Sequence, residues 1–259
     1  MNLRSISLHI VLVELCCSLH ALASINIWAS VTKQADTLVY SYTMQNSSSA
    51  NDKVDEFGVQ QNAVLFDAVL PARSISPSGW VGQGMSIAPV FSWWAQDSVD
   101  FILPNVSLSG FRLKTFGLPA ISNSYTWYYV EPESGESEDD TSSIFVDAIV
   151  LRTIAPHAPP SPFVALDFID TLIAMKNEAK SLDWIQQSDL SDLIDTRLSK
   201  ARDHVESEDE SGALEDLQVA LSAVEKDCLG VGPGPGVSYL TSEACALLRY
   251  NLQYLIDYL

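Results

Sequence analysis

The hydrophobic pattern of this chain changes once, at a proline-rich segment over residues 155–162, and that change constrains the fold most. Before the segment, apolar and polar side chains alternate with a period of two, which is typical of a strand with one buried face. After it, apolar residues recur every three or four positions, which is typical of an amphipathic helix. The pattern predicts a mainly-β antiparallel sandwich over residues 24–154, a Pro-rich linker, and a separate small α-helical bundle over residues 163–259.

The alternating runs are short and are separated by turn clusters rich in Gly, Pro, Ser and Asn, such as residues 76–79. No helical pattern lies between them, so an antiparallel sandwich is favoured over a parallel α/β sheet. Prolines fix φ and remove backbone donors, so the linker is expected to be an extended spacer. The predicted strands cover residues 38–44, 54–60, 62–70, 89–95, 108–116, 124–130 and 143–152.

Four apolar stripes predict the four helices of the bundle. Ser188 and Thr241 are the expected N-caps of two of them, and a Gly-Pro loop at residues 230–236 separates the third helix from the fourth. The stripes run over residues 168–173, 190–205, 214–224 and 244–256.

Residues 1–23 have the pattern of a signal peptide, with small residues at Ala21 and Ala23 that predict cleavage after Ala23. A membrane anchor is the alternative, but the apolar run is shorter than the roughly 20 residues that span a bilayer. A lipoprotein is a second alternative, although Glu14 precedes Cys16 closely and the small residues of a lipobox are missing. We therefore expect a secreted, extracellular or periplasmic protein that does not insert into the membrane after cleavage.

Cleavage of the leader would leave two cysteines, Cys228 and Cys245. An even number of cysteines in an exported protein predicts a disulfide. The bridge would join the third helix to the fourth across the Gly-Pro loop.

The chain has a formal net charge of −19. Nucleic-acid binding is disfavoured because phosphate contacts need clustered Lys and Arg, and adsorption to anionic membranes is disfavoured for the same reason. The acidic run at residues 131–140 is interpreted as a solvated loop, and the one at 206–212 as a helix start. A calcium site is the alternative for each run, but neither has the full ligand spacing, so no metal or cofactor is predicted.

Tryptophan and tyrosine are dense between residues 80 and 129. Neighbouring residues of a strand point to opposite faces, so one of Trp93 and Trp94 is expected to face the core and the other to face outward. An outward platform could bind sugar rings, and the alternative is that these rings cover a loop or the helical part. The candidate ligand-binding residues are Trp80, Trp94, Trp127 and Tyr129.

Catalytic motifs are weak throughout the sequence. No nucleophile motif, zinc ligand set or phosphate-binding glycine loop is recognised, so no catalytic residue is assigned and an enzyme is not expected. A carboxylate pair of the glycosidase kind stays open as an alternative. The carboxylates considered for it are Glu56, Asp67, Asp97 and Asp100.

Two stretches resemble known families. The order of residues 76–80, 91–93, 102–111 and 116–119, after the strand at 40–46, resembles a β-sandwich module of bacterial secreted and surface proteins. Residues 166–259 resemble the FIMAH-type C-terminal helical domain of bacterial extracellular proteins, through Gly212-Ala213 and the Leu-Thr-x-Glu-Ala element at 240–244. The resemblances imply an extracellular location and no established catalytic residues.

The function expected from the sequence is therefore an exported, non-catalytic extracellular or surface-associated protein. Its partner would be an extracellular glycan or surface component bound by the sandwich. A small carbohydrate-active hydrolase and a purely structural envelope or matrix component are the alternatives.

Overall fold

The computed structural model describes residues 25–48, 52–61, 74–84, 89–129, 148–229 and 239–259. Several sequence predictions lie outside the described residues: the leader with its cleavage site, the strand at 62–70, Asp67, the acidic run at 131–140 and the Gly-Pro loop at 230–236.

The described part of the chain contains nine strands in two antiparallel sheets. The four-stranded sheet has the order β1-β2-β7-β4, and the five-stranded sheet has the order β5-β6-β3-β8-β9. The predicted antiparallel sandwich is therefore confirmed. The strands are β1 (Ile25–Gln34), β2 (Thr37–Asn46), β3 (Val54–Gln60), β4 (Ser74–Ile75), β5 (Trp80–Gly84), β6 (Val90–Ala95), β7 (Val106–Thr115), β8 (Leu118–Tyr128) and β9 (Ile149–His157).

Aromatic rings fill the space between the two sheets. Tyr42 from the four-stranded sheet contacts Phe57 and Trp93 from the five-stranded sheet, with ring centroids 5.8 and 6.0 Å apart. Phe57 stacks on Trp93 at 5.5 Å, and Phe111 packs edge-on against Phe57 at 5.4 Å. These four side chains are at most 1% exposed, so this cluster is the centre of the sandwich core.

Four helices follow the sheets, as the stripes predict. Thr241 is the N-cap of the last helix and accepts from the backbone N–H of Ala244, as expected. The predicted cap at Ser188 is wrong by one residue, because Gln187 is the N-cap and Ser188 is already helical. None of the described helices is long and apolar enough to cross a bilayer. The helices are α1 (Ala165–Ser181), α2 (Ser188–Glu206), α3 (Glu210–Cys228) and α4 (Ser242–Tyr258).

The helical bundle packs against the sandwich. Glu243, at the start of α4, accepts a hydrogen bond of 2.6 Å from the backbone N–H of Ala29 on β1. Further along α4, the hydroxyl of Tyr250 donates to the carbonyl of Val31, and Asn251 Nδ2 donates to the carbonyl of Pro119. Because β1 is an edge strand, α4 covers backbone groups that no further strand pairs.

The linker is shorter than the sequence predicts. Ala155, Pro156 and His157 belong to β9, where they pair with Ala120, Pro119 and Leu118 of β8. β9 is the edge strand of its sheet, where proline is tolerated best. The spacer therefore begins after His157.

Cys228 and Cys245 form a disulfide, with their Cα atoms 5.6 Å apart. Cys228 is the last residue of α3, and Cys245 lies in the first turn of α4. The predicted bridge is confirmed, and it holds the start of α4 close to the contact between Glu243 and β1.

Candidate ligand-binding face of the five-stranded sheet

Glu56 lies between two tryptophans on the outer face of the five-stranded sheet. The register pairs Glu56 of β3 with Trp94 of β6 on one side and with Trp127 of β8 on the other. Directly opposed residues of an antiparallel sheet point to the same face, and Phe57 next to Glu56 points into the core. We call Glu56, Trp94, Trp127 and Tyr125 the aromatic face.

Aromatic rings lie on both sides of Glu56 on this face. Tyr125 and Trp127, two residues apart on β8, stack with centroids 6.0 Å apart and planes 27° apart. Strands are spaced by about 4.8 Å, so the Cα atoms of Trp94 and Trp127 are about 10 Å apart. Both tryptophans are half-buried, so part of each ring is open to a ligand.

The helical bundle contacts the other end of β8. Its core packs against Leu118 and Ile121, whereas Trp127 lies six residues beyond Ile121. At about 3.3 Å per residue that is about 20 Å along the strand. The contact between the helical bundle and β8 therefore lies away from Trp127.

Two neighbouring carboxyl groups, those of Asp55 and Glu56, lie in β3. The strand has a bulge between Val54 and Glu56, so Asp55 is left without a partner in the ladder with β8. Burial raises the pKa of Asp55 to about 6, against hydrogen bonds from the backbone N–H groups of Asp55 and Glu56, which lower it. Burial also raises the pKa of Glu56, and the charge of Asp55 adds to this, while a hydrogen bond with Ser92 opposes it.

A chain of polar contacts leads from the aromatic face towards the helices. The hydroxyl of Tyr125 and Nδ2 of Asn123 both donate to Oε1 of Gln60, each at 3.2 Å. Arg152 on β9 donates to Oδ1 of Asn123 at 2.7 Å and also forms an ion pair with Glu178 of α1. These contacts fix the side chains that border the face.

The structure separates the four aromatic residues that the sequence proposed together. Trp94 and Trp127 lie on the aromatic face. The outward position proposed for Trp80 is wrong: its side chain is 4% exposed, packs on Phe111 at 5.1 Å, and donates from Nε1 to the carbonyl of Asp100. Trp80 is paired with Ala95, one residue past Trp94, and therefore points to the opposite face from Trp94.

Tyr129 is 36% exposed but belongs to a different contact. It follows the end of β8, and its ring packs on Phe101 at 4.8 Å. Asp97 is exposed and Asp100 lies in the short 3-10 helix Ser98–Asp100. Of the three carboxylates considered from the sequence that the structure describes, Glu56 is therefore the one on the aromatic face.

Sequence reasoning missed the role of Asp55, Ser92 and Gln60 at this site. Tyr125 could have been found, because Tyr125 and Trp127 share the parity that puts both on one face of a strand. The bulge at Asp55 could not, because it arises from pairing between β3 and β8.

Comparisons with known proteins identify no family for this chain. The chain matches no protein-family model and no curated protein. An uncharacterized protein from Nocardia farcinica with an immunoglobulin-like fold aligns with 51% of this chain and 98% of its own, at 13% identity and a TM-score of 0.29. An inactive mutant of a GH20 exo-β-N-acetylglucosaminidase from Vibrio harveyi aligns with 54% of this chain and 19% of its own, at 13% identity and a TM-score of 0.26. At these scores neither likeness supports a function, and the resemblance to the FIMAH-type domain stays a prediction.

Proposed function

We propose that this is an exported, non-catalytic protein whose aromatic face binds a neutral or cationic extracellular ligand, namely a glycan. The observation that carries the proposal is the placement of Glu56 between Trp94 and Trp127 on three adjacent strands. The C–H faces of a sugar ring stack on indole and phenol rings, and a carboxylate between them accepts hydrogen bonds from hydroxyl groups.

The net charge of the protein limits the class of ligand that it can bind. The net charge of −19 repels polyanions, so a sulfated or phosphorylated polymer is disfavoured and a neutral or basic one is favoured. The Cys228–Cys245 disulfide supports export, because such bonds persist in oxidising compartments. The FIMAH-type resemblance of the helical part is consistent with an accessory extracellular role.

The proposal is tested by titrating the purified protein with neutral and basic polysaccharides, followed by tryptophan fluorescence and calorimetry. Trp94→Ala and Trp127→Ala are each expected to weaken binding at least about tenfold, because aromatic anchors carry much of the binding energy. The matched control is Trp28→Ala, since Trp28 is 45% exposed on β1 of the other sheet. If no polysaccharide binds and the first two variants only lose stability, these rings have a structural role.

A carbohydrate-active hydrolase is the second candidate, favoured by the raised pKa values of Asp55 and Glu56. Glycosidases use one protonated and one ionised carboxyl group, and burial favours the protonated form of Asp55 below about pH 6. Glu56→Gln separates the two functions in an assay for reducing ends released from a polysaccharide. If the protein only binds, neither the wild type nor the variant releases reducing ends. If it is a hydrolase, the wild type releases them and the variant does not.

A further inference from the structure

A polar cavity of about 200 Å³ lies at the end of β3, beside β8 and β9. It is separate from the rings of the aromatic face, although Gln60 borders both. The residues of its lining that matter here are Gln60, Gln61, Asn123, Arg152 and His157.

Gln61 is the central residue of this cavity. It is 2% exposed, and its backbone N–H donates to the carbonyl of Pro89 at 2.6 Å, which holds it in place. Its Nε2 and Oε1 are both buried and find no hydrogen-bond partner in the part of the chain that the structure describes. A buried polar group left in this state destabilises the folded protein, so an unpaired amide that lines a cavity indicates a polar occupant.

His157 presents a second unpaired polar atom to the cavity. Its Nε2 is also buried, with no hydrogen-bond partner among the described residues. Burial lowers the pKa of His157, so the ring is neutral and offers one donor and one acceptor. Gln61 and His157 together therefore present both donors and acceptors.

The other polar groups are already engaged. Gln60 Oε1 accepts from Tyr125 and Asn123, and Arg152 donates to Asn123 and Glu178. The charge of Arg152 is therefore balanced by Glu178, so among the described lining residues no cation is left for an anionic ligand. The part of the lining that the structure describes also has no carboxylate that would hold a cation.

We infer that this cavity binds a small, neutral, hydroxyl-rich molecule of the size of a single sugar. Its volume equals that of about six or seven liquid water molecules. Each hydroxyl both donates and accepts, which matches the mixed set offered by Gln61 and His157. The inference does not depend on ligand binding at the aromatic face.

The probe is D-glucose, titrated at millimolar concentrations while NMR follows the side-chain amide of Gln61 and the ring protons of His157. Both sets of signals are expected to shift and saturate. Gln61→Leu is expected to weaken binding at least about tenfold, read from the His157 signals. It should also raise the thermal midpoint of the free protein, because a buried unpaired amide is removed.

The matched control is Gln34→Leu, at an exposed position near the end of β1, which should leave the titration unchanged. Trp94→Ala should leave it unchanged too, so a failure of the aromatic face is distinguishable from a failure of the cavity. No saturable shift in the wild type would overturn the inference and assign the cavity to water alone. Equal affinity of the Gln61→Leu variant would overturn it as well.

Discussion

Replacement of Glu243 by alanine tests how strongly the helical bundle is coupled to the sandwich. Glu243 is 4% exposed, and its Oε1 accepts from the backbone N–H of Ala29, which is 1% exposed. The other oxygen, Oε2, accepts from the hydroxyl of Ser242. Ala29 pairs with Tyr42 on one side of β1, and its N–H on the open side depends on Glu243.

The size of the effect follows from these contacts. A hydrogen bond to a charged group contributes about 1.5–3 kcal/mol, and a buried N–H without a partner loses a similar amount. A carboxylate in a first helical turn adds about 0.3–1 kcal/mol. We therefore expect Glu243→Ala to lower the free energy of unfolding by about 2–3 kcal/mol, and Glu243→Gln, which keeps an acceptor, to lower it by about 1 kcal/mol.

Denaturant unfolding, followed by circular dichroism and tryptophan fluorescence, measures the change. The matched control is Glu210→Ala: Glu210 is exposed and also lies in a first turn, that of α3. It should lose only the helix-dipole contribution of about 0.3–1 kcal/mol. If Glu243→Ala costs no more than Glu210→Ala, the contact with Ala29 does not stabilise the protein and the reasoning is refuted.

Four further outcomes are expected. Because the pKa of Asp55 is raised to about 6, the folded state binds a proton that the unfolded chain releases between about pH 4 and pH 6, so stability falls as pH rises through that window. The full pKa shift corresponds to about 3 kcal/mol of unfolding free energy, which partial exposure reduces to about 1 kcal/mol. The unfolding free energy of Asp55→Asn should therefore exceed that of the wild type by about 1 kcal/mol at pH 7 and equal it at pH 4. Parallel pH profiles of the two unfolding free energies would contradict this. Replacing Cys228 and Cys245 by serine should lower the free energy of unfolding by about 3 kcal/mol. If adding a reductant does not lower the stability of the wild type, that value is wrong. Fragments 24–157 and 163–259 should each unfold cooperatively, since each has its own buried cluster, and non-cooperative melting of both would mean that the chain is one folding unit. Mass spectrometry of exported protein should find Ser24 as the first residue, and material that begins at Met1 would show that no signal peptide is removed.

Most of the fold could be predicted because its signals are local. In β2, Tyr40, Tyr42 and Met44 alternate with more polar residues, and the structure buries all three. The stripe at Leu247, Leu248, Leu252 and Leu255 of α4 is likewise fully buried. A period of two or of 3.6 is a property of neighbouring residues, so it needs no knowledge of distant partners.

The candidate site was predictable only in part. Parity along a strand shows that Trp93 and Trp94 face opposite ways, but it does not say which of them is buried. That choice depends on contact with Tyr42 of the opposite sheet, which Trp93 makes. Trp80 shows the same limit, because its burial depends on Phe111 and on the carbonyl of Asp100.

The sequence by itself determined the change of period, the antiparallel strands, the helices and the cysteine pair, because each is encoded in local spacing or in residue number. Tertiary structure alone decided that Glu56 lies between two tryptophans, that Gln61 and His157 border one cavity, and that Glu243 reaches β1. These groups come from distant parts of the chain, and their meeting depends on strand order and register. Register is set by the packing of whole sheets and helices, which no short stretch of sequence contains.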